Sequence, residues 1–360
     1  MYRRESGIRM NESTKKQKEY IAIDIFRFVC ALMVISLHIR PFTDFSFELG
    51  FWMEEIISRI AVPFFFVTSG FFLAAKIQDR NRVKCYFMKV LRLYLVYTIL
   101  YFPQIVYSFR KVGEGPVDFI RTFLHDFLLS GPYTHLWYFR ALLVVVFLIY
   151  ILKNRTSLSD RKLLLGAFVL YVIGCAGCTY RNFVIQNNIL GMIILGYEKI
   201  FVTTRNGLFF GFFYSFLGYY AWNFKSKISE KYFGIFAVFS LILLHAEAYI
   251  LRFALHIEEG FDMLYTLPLV VYFLFRLLCS IRVSVYYAQV GRYLRKLSTL
   301  MFGLHLFVKF YLHWILLHIV KSSLKSLPYY LVMTAATIGV SCFIIWMENR
   351  KGFEFLKLLS

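Results

Sequence analysis

The sequence predicts an all-α polytopic membrane protein of about ten transmembrane helices, with both termini cytoplasmic. Three observations lead there. Hydrophobic residues make up 59% of the 360 positions, against roughly 45–50% in soluble globular chains. Aromatics reach 20%, with 41 Phe and 26 Tyr, and mean hydropathy is +0.61. The net charge of +20 is concentrated between apolar stretches rather than spread through them. A water-soluble fold of this size cannot hide so much apolar surface, and disorder requires low hydrophobicity. A strongly basic chain ordinarily suggests nucleic acid. Here most of the chain is too apolar to face solvent, so nucleic acid is excluded and the lipid bilayer is the expected partner.

A membrane-crossing helix needs about 20 mainly apolar residues. Ten stretches qualify, at about 20–40, 54–75, 85–107, 134–152, 162–178, 204–223, 231–250, 263–280, 298–319 and 327–347. The connections are too short for a second folded domain. The longest, about 108–133 and 179–203, have room for an interfacial or re-entrant segment, and Ile189–Tyr197 is apolar enough to be one. The expected division is a basic tail over 1–19, a transmembrane domain over 20–347 and a short tail over 348–360. No signal peptide is expected, because the first apolar stretch lacks a small-residue cleavage site and many more follow. Tyr2 stands where myristoylation needs glycine, and there is no C-terminal prenylation cysteine.

Cytoplasmic loops of membrane proteins carry an excess of Lys and Arg. With the N-terminus inside, 24 of the 41 basic residues fall on inside segments and nine on outside ones. The six cysteines lie in or beside apolar stretches. Cys175 and Cys178 form one CxxC pair with no second pair at zinc spacing, so buried thiols are expected and no metal or bound cofactor.

Charged or polar side chains inside spans are costly and mark candidate functional positions. In the first stretch Asp24 and Arg27 are three apart and share a helix face. Arg27 and His38 are eleven apart, which is about three turns, so they point the same way roughly 16 Å apart. Either Asp24–Arg27 is a structural pair and His38 interfacial, or the three belong to a site. Ser69 and Gly70 fall in the inner half of the second stretch, where small residues also serve tight helix packing. His135 opens the fourth stretch beside Trp137 and Tyr138, as a site residue or as part of an interfacial belt. Arg205 precedes the sixth stretch, placed to hold an anion at a helix N-terminus or to snorkel. Glu247 lies inside the seventh, about one turn from its outer end, at the expected depth of His38, Arg205 and Arg252. His305 is placed in the inner half of the ninth, at the depth of Arg27. These residues sort into an inner layer of Asp24, Arg27, Ser69 and His305, and an outer layer of His38, His135, Arg205 and Glu247.

Arginine, ten residues, then histidine on the first helix resembles the signature of the acyltransferase-3 family of integral membrane acyltransferases. IDIFRFVCALMVISLH, IAVPFFFVTSGFF, HLWYF, TRNGLFF, the EAY of 247–249 and the region of His305 are similar, in that order, to the membrane half of vancomycin-resistance serine racemases. The resemblance covers about residues 20–347. There are departures. No racemase half follows within the 360 residues, so racemase activity is not expected. Arg140 follows HLWYF where a small residue or proline is expected. Leu306 follows His305 where the family usually has proline. No glutamate follows HLW.

The resemblance implies transfer of an acyl group, acetyl in the first instance, from a cytoplasmic acyl-CoA to a hydroxyl or amine. The acceptor would be an envelope glycan or a small molecule. His38 would be the base or acyl relay and Glu247 its orienting partner. Arg27, with nearby Arg92, would hold the phosphate-bearing donor, and His305 would contact it. The alternative is binding or transport of L-serine or a similar amino acid, with Arg205 on the carboxylate and Glu247 on the ammonium group. Retention of the full Arg27–His38 spacing favours acyl transfer. The sequence leaves the oligomeric state open.

Overall fold

A computed structural model describes residues 20–360 apart from positions 114, 187–188, 225, 227, 259 and 322–323. The expected basic tail over 1–19, Lys225 and Lys227 lie outside the described residues. The described residues form helices and connecting loops, with no strand among them. Twelve of the helices are labelled here. They are α1 (Ile21–Ile39), α2 (Phe47–Ala74), α3 (Arg80–Val112), α4 (Pro116–Leu129), α5 (Trp137–Arg155), α6 (Asp160–Ala176) and α7 (Ile189–Phe201). Then come α8 (Gly207–Gly211 continuing as Phe212–Asn223), α9 (Glu230–Ala254), α10 (Leu267–Ser280), α11 (Val285–Val320) and α12 (Ser326–Met347).

Each of the ten expected spans falls on one of these helices. Among the described residues seven are long and apolar enough to cross a membrane: α1, α2, α3, α5, α9, α11 and α12. The shorter α6, α8 and α10 occupy the other three stretches. The two long connections hold α4 and α7, and α7 covers the apolar run from Ile189. Both α4 and α7 expose apolar side chains, among them Val117, Ile120, Leu128, Ile189, Met192 and Ile193.

Helix boundaries depart most at charged ends. The ninth stretch was expected from about 298, but the α-helical run begins at Ala288, ahead of Arg292, Arg295 and Lys296. A helix needs apolar residues only where it meets lipid or core, so its charged end is not visible to hydropathy. His305 is the eighteenth residue of Ala288–Ile315, roughly 26 Å from its start. This corrects its expected depth.

The core centres on α2. Its first half is irregular, with a π-helical turn over Phe51–Ile57 and a 3-10 turn over Ser58–Ile60. Its second half, Ala61–Ala74, is apolar on all sides and largely buried. A helix apolar all round belongs inside a bundle. It crosses α8 with almost no clearance. A methyl group added at Gly70 would stand 1.8 Å from the Ser215 carbonyl oxygen, and one at Gly218 would stand 1.9 Å from that of Val67. Hydrocarbon gives helices no hydrophobic drive to associate, so close backbone packing through small residues takes that role. Gly70 is therefore a packing residue. By contrast α9 exposes Ile235, Val238, Phe239 and Ile242, a face suited to lipid.

α1 and α11 run parallel. Gly291 lies against Ile21 at one end, and Lys309 Nζ donates to the His38 carbonyl at the other, at 2.7 Å. The loop after α1 is tied to α2 by the buried Glu54, which accepts from the Phe42 N–H at 2.6 Å and the Thr43 hydroxyl at 2.8 Å. That tie holds the His38 end of α1 against the bundle.

Candidate active site

Three imidazoles from three elements meet near the end of α1. The His38 and His305 ring centroids are 5.1 Å apart, and His135 stands 5.1 Å from His305, edge to face. His135 is brought there by a tight turn before α5. Gly131 adopts φ +99°, and a Cβ there would lie 2.5 Å from the Trp137 nitrogen. Only glycine combines that dihedral with so close a backbone approach.

The two buried histidines have their tautomers set by backbone carbonyls. His305 Nδ1 is 2.8 Å from the Phe302 oxygen, and His135 Nε2 is 3.2 Å from the Gly303 oxygen. A carbonyl only accepts, so each of those nitrogens carries the proton. The other nitrogens, His305 Nε2 and His135 Nδ1, are buried without a hydrogen-bond partner among the described residues. Two lone pairs are thereby kept available beside His38.

Tyr101 shapes this turn of α11. Its hydroxyl donates to the Gly303 oxygen at 2.8 Å and accepts from the Phe307 N–H at 2.8 Å. These two groups are an i, i+4 pair of the helix ladder, so the phenol sits within the turn that carries His305. Gly303 makes room, because a Cβ there would overlap the Tyr97 ring. Tyr101→Phe is expected to cost about 1–3 kcal/mol by orphaning those groups. The thermal midpoint of the detergent-solubilised chain measures it, and an unchanged midpoint would mean that the ladder closes on itself.

A cavity of about 210 Å³ opens beside His38 and His135 and is also lined by Arg59, Trp137, Arg205, Asp262 and Phe302. Arg205 Nη1 bonds Asp262 at 2.6 Å and stacks on Trp137, its guanidinium carbon 5.1 Å from the ring centroid. Arg59 pairs with the same Asp262 and with Glu55. Both arginines stand next to irregular helix: Arg59 follows the π turn of α2, and Arg205 precedes the π turn of α8. Asn206 caps that second turn by accepting from Leu208 and Phe209 N–H. Of the residues expected in an outer layer, His38, His135 and Arg205 line this one cavity, and His305 packs against both histidines without lining it.

Glu247 does not line that cavity. Oε1 accepts from the Tyr180 hydroxyl and from the Tyr265 N–H at 2.7 Å; Oε2 accepts from the Thr266 hydroxyl and from the Thr266 N–H at 2.8 Å. Four bonds fill the capacity of a carboxylate. They fasten the entry to α10, where backbone donors lack helical partners. Glu247→Gln, which replaces one acceptor oxygen by a donor, is expected to lower the thermal midpoint by an amount matching about 1–3 kcal/mol. Full stability in that variant would argue against this structural part.

At the other end of α1, Asp24 faces Arg295 at 3.6 Å. Arg27, Lys76, Arg92 and Arg295 all act electrostatically on Lys89. The Nε atoms of Arg27 and Arg92 are buried without hydrogen-bond partners among the described residues. Ser69 Oγ lies 3.3 Å from the Tyr138 hydroxyl, and Arg27 acts on that phenol and on Tyr86. Backbone oxygens of Leu359 and Ser360 accept from Tyr97 at 2.9 Å and Arg92 at 3.1 Å. Phe302 stands between the two ends, 5.1 Å from the Tyr138 ring and 5.8 Å from His135.

Arg59, Asp262 and Tyr101 were not among the sequence candidates. Arg59 carried a usable signal, a charge within an expected span. Asp262 is an ordinary loop acid by sequence, and Tyr101 is one of 26 tyrosines. Among the described residues no group of His, Cys, Asp or Glu could hold a metal ion.

A helical membrane bundle with a histidine-lined cavity at one end of its first helix and a basic cluster at the other defines a class of integral membrane protein. The Acyltransferase domain of the acyltransferase-3 family matches residues 20–346. The chain belongs to that family. A serine/alanine racemase of Enterococcus gallinarum is 30% identical over 343 residues, 91% of this chain and 47% of that protein. An amino-acid racemase of Enterococcus faecalis is 32% identical over 233 residues, 63% of this chain and 32% of that protein. The chain therefore spans less than half the length of these relatives. No solved structure matches it.

Proposed function

We propose that the protein transfers an acyl group, acetyl in the first instance, from a cytoplasmic acyl-CoA to a hydroxyl or amine of an envelope carbohydrate or small molecule. The observation that carries this reading is the His38–His135–His305 cluster, of which His38 and His135 line a cavity, with two buried ring nitrogens kept unprotonated. Acyl transfer needs a base at the acceptor proton and donors for the oxyanion. His38, the cavity-lining imidazole with no backbone carbonyl on its ring among the described residues, serves as base or acyl relay. His135 and His305 accept or pass on the proton. The Arg27, Lys89 and Arg92 cluster binds the phosphates of the donor by charge-assisted bonds. Ser69, beside Tyr138, lies on the donor side, with Asp24 holding Arg295 in place. Phe302 separates donor from acceptor, so the acyl group passes it to reach His38. The excess of basic residues on predicted inside loops supports a cytoplasmic side for the Arg27 end and for both termini.

The test is purified protein with radiolabelled acetyl-CoA and a panel of envelope acceptors. Labelled product is expected. Absence of transfer, together with unchanged envelope acetylation in a deletion strain, would overturn the reading.

A second reading is binding or transport of L-serine or a similar amino acid. Arg205 on the wall of the His38 cavity favours it, as a ready partner for a carboxylate. The racemase names of the relatives are compatible with it. Serine uptake into vesicles that is lost in Arg205→Ala, without acetyl-CoA binding, would select it.

A further inference from the structure

Arg140 stands one turn into α5, where the family resemblance leads to a small residue or proline. Its Nε donates to the Leu128 carbonyl at 2.9 Å, which ties the guanidinium to the end of α4. Its side chain lines a second cavity of about 160 Å³, together with Ser130, Thr203, Arg205 and Asn206. Among the described residues no carboxylate lines that cavity. Thr134, Trp137 and Arg205 line both it and the His38 cavity, so the two adjoin. Arg205 already shares a single carboxylate, Asp262, with Arg59. Arg140 has a carbonyl as its partner, and among the described residues no carboxylate forms an ion pair with it. Guanidinium groups recognise carboxylate and phosphate through paired N–H donors. In a confined cavity such contacts are screened less than at an open surface.

We propose that Arg140 and Arg205 form an anion clamp. It restricts the acceptor to molecules that carry a carboxylate or phosphate next to the hydroxyl or amine to be acylated. A ligand filling both cavities puts its anion between the two arginines and its nucleophile at His38. The clamp deepens the acyl-transfer reading and rests on its acceptor site.

Binding to the full chain in lipid nanodiscs tests it, by titration calorimetry with D-glucose, D-glucuronate and D-glucose 6-phosphate. At least one anionic sugar is expected to bind at least tenfold more tightly than glucose. Preference for glucuronate identifies a carboxylate as the group recognised, and preference for the phosphate ester identifies a phosphate. Arg140→Gln and Arg205→Gln should each bring the preference within threefold, while Arg140→Lys, which keeps the charge, should retain part of it. Equal affinities, no binding by any of the three, or an Arg140→Gln preference equal to the parent's would overturn the clamp. So would equal losses in Arg140→Lys and Arg140→Gln, which would trace the effect to the Leu128 tie. No acyl-CoA enters these titrations. Anion binding without transfer from acetyl-CoA would sink the transfer reading and leave the clamp, and transfer to neutral sugars without anion preference would do the reverse.

Discussion

A His38→Ala variant is expected to lose about 10²–10⁴-fold in acetyl transfer, the usual contribution of a positioned acid–base group. The fold should survive the change. The tie between α1 and α11 at this level runs from Lys309 to the His38 backbone carbonyl, which alanine keeps. Donor binding should survive too, because the basic cluster of Arg27, Lys89 and Arg92 is at the far end of α1. The comparison needs three readings on one preparation: thermal midpoint, acetyl-CoA affinity and turnover. Turnover within threefold of the parent would remove His38 from the chemistry and shift attention to the two buried histidines.

Gly218→Ala should be, with Gly70→Ala at the same crossing, among the most damaging single-methyl additions in the protein. The added carbon would stand 1.9 Å from the Val67 oxygen, and real Cβ contacts stay beyond 3.0 Å. That oxygen belongs to the backbone of α2, so no side-chain rotation relieves the overlap. The helices must separate by more than an ångström along their closest crossing. The cost expected is about 3 kcal/mol or more, the upper end of the overpacking range. Gly339→Ala in α12 is the control, since nothing lies within 4 Å of its added carbon. It should leave stability unchanged or raise it by roughly 0.5–1 kcal/mol through helix propensity. Size-exclusion profiles and thermal midpoints in one detergent separate the two. Equal behaviour of the two variants would mean that the α2–α8 crossing yields.

The spans were legible because lipid imposes a length, and each of the ten apolar runs met or approached it. Their ends were not. α3 and α11 continue through charged residues that hydropathy treats as loop, and this misplaced His305. His38, His135 and Arg205 stood out as polar groups in apolar surroundings, and the structure brings them to one cavity. Glu247 stood out by the same signal and serves as a cap on α10. The cost of an intramembrane charge says that it needs partners, but not whether those are a substrate or a backbone. Asp262 and Tyr101 were hidden for a different reason. Their importance lies in what they touch, Arg59 and Arg205 in one case and the α11 ladder in the other. Neither local pattern nor composition encodes a contact made across the bundle.

The crossing of α2 and α8 bears on how the chain is made. The two glycines stand at positions 70 and 218, and five further helices lie between them in sequence. Insertion from the N-terminus therefore delivers α2 long before its partner exists. During that interval α2 depends on its own apolar circumference, which suits a lone helix in lipid as well as it suits a core. In its polar first half Glu54 is met by the preceding loop and Arg59 by Glu55, but Arg59 gains its second carboxylate only once Asp262 has been translated. The cavity beside His38 is thus completed late in synthesis, and a ribosome stalled before residue 262 would leave α2 inserted with its arginine lacking one of its two carboxylates.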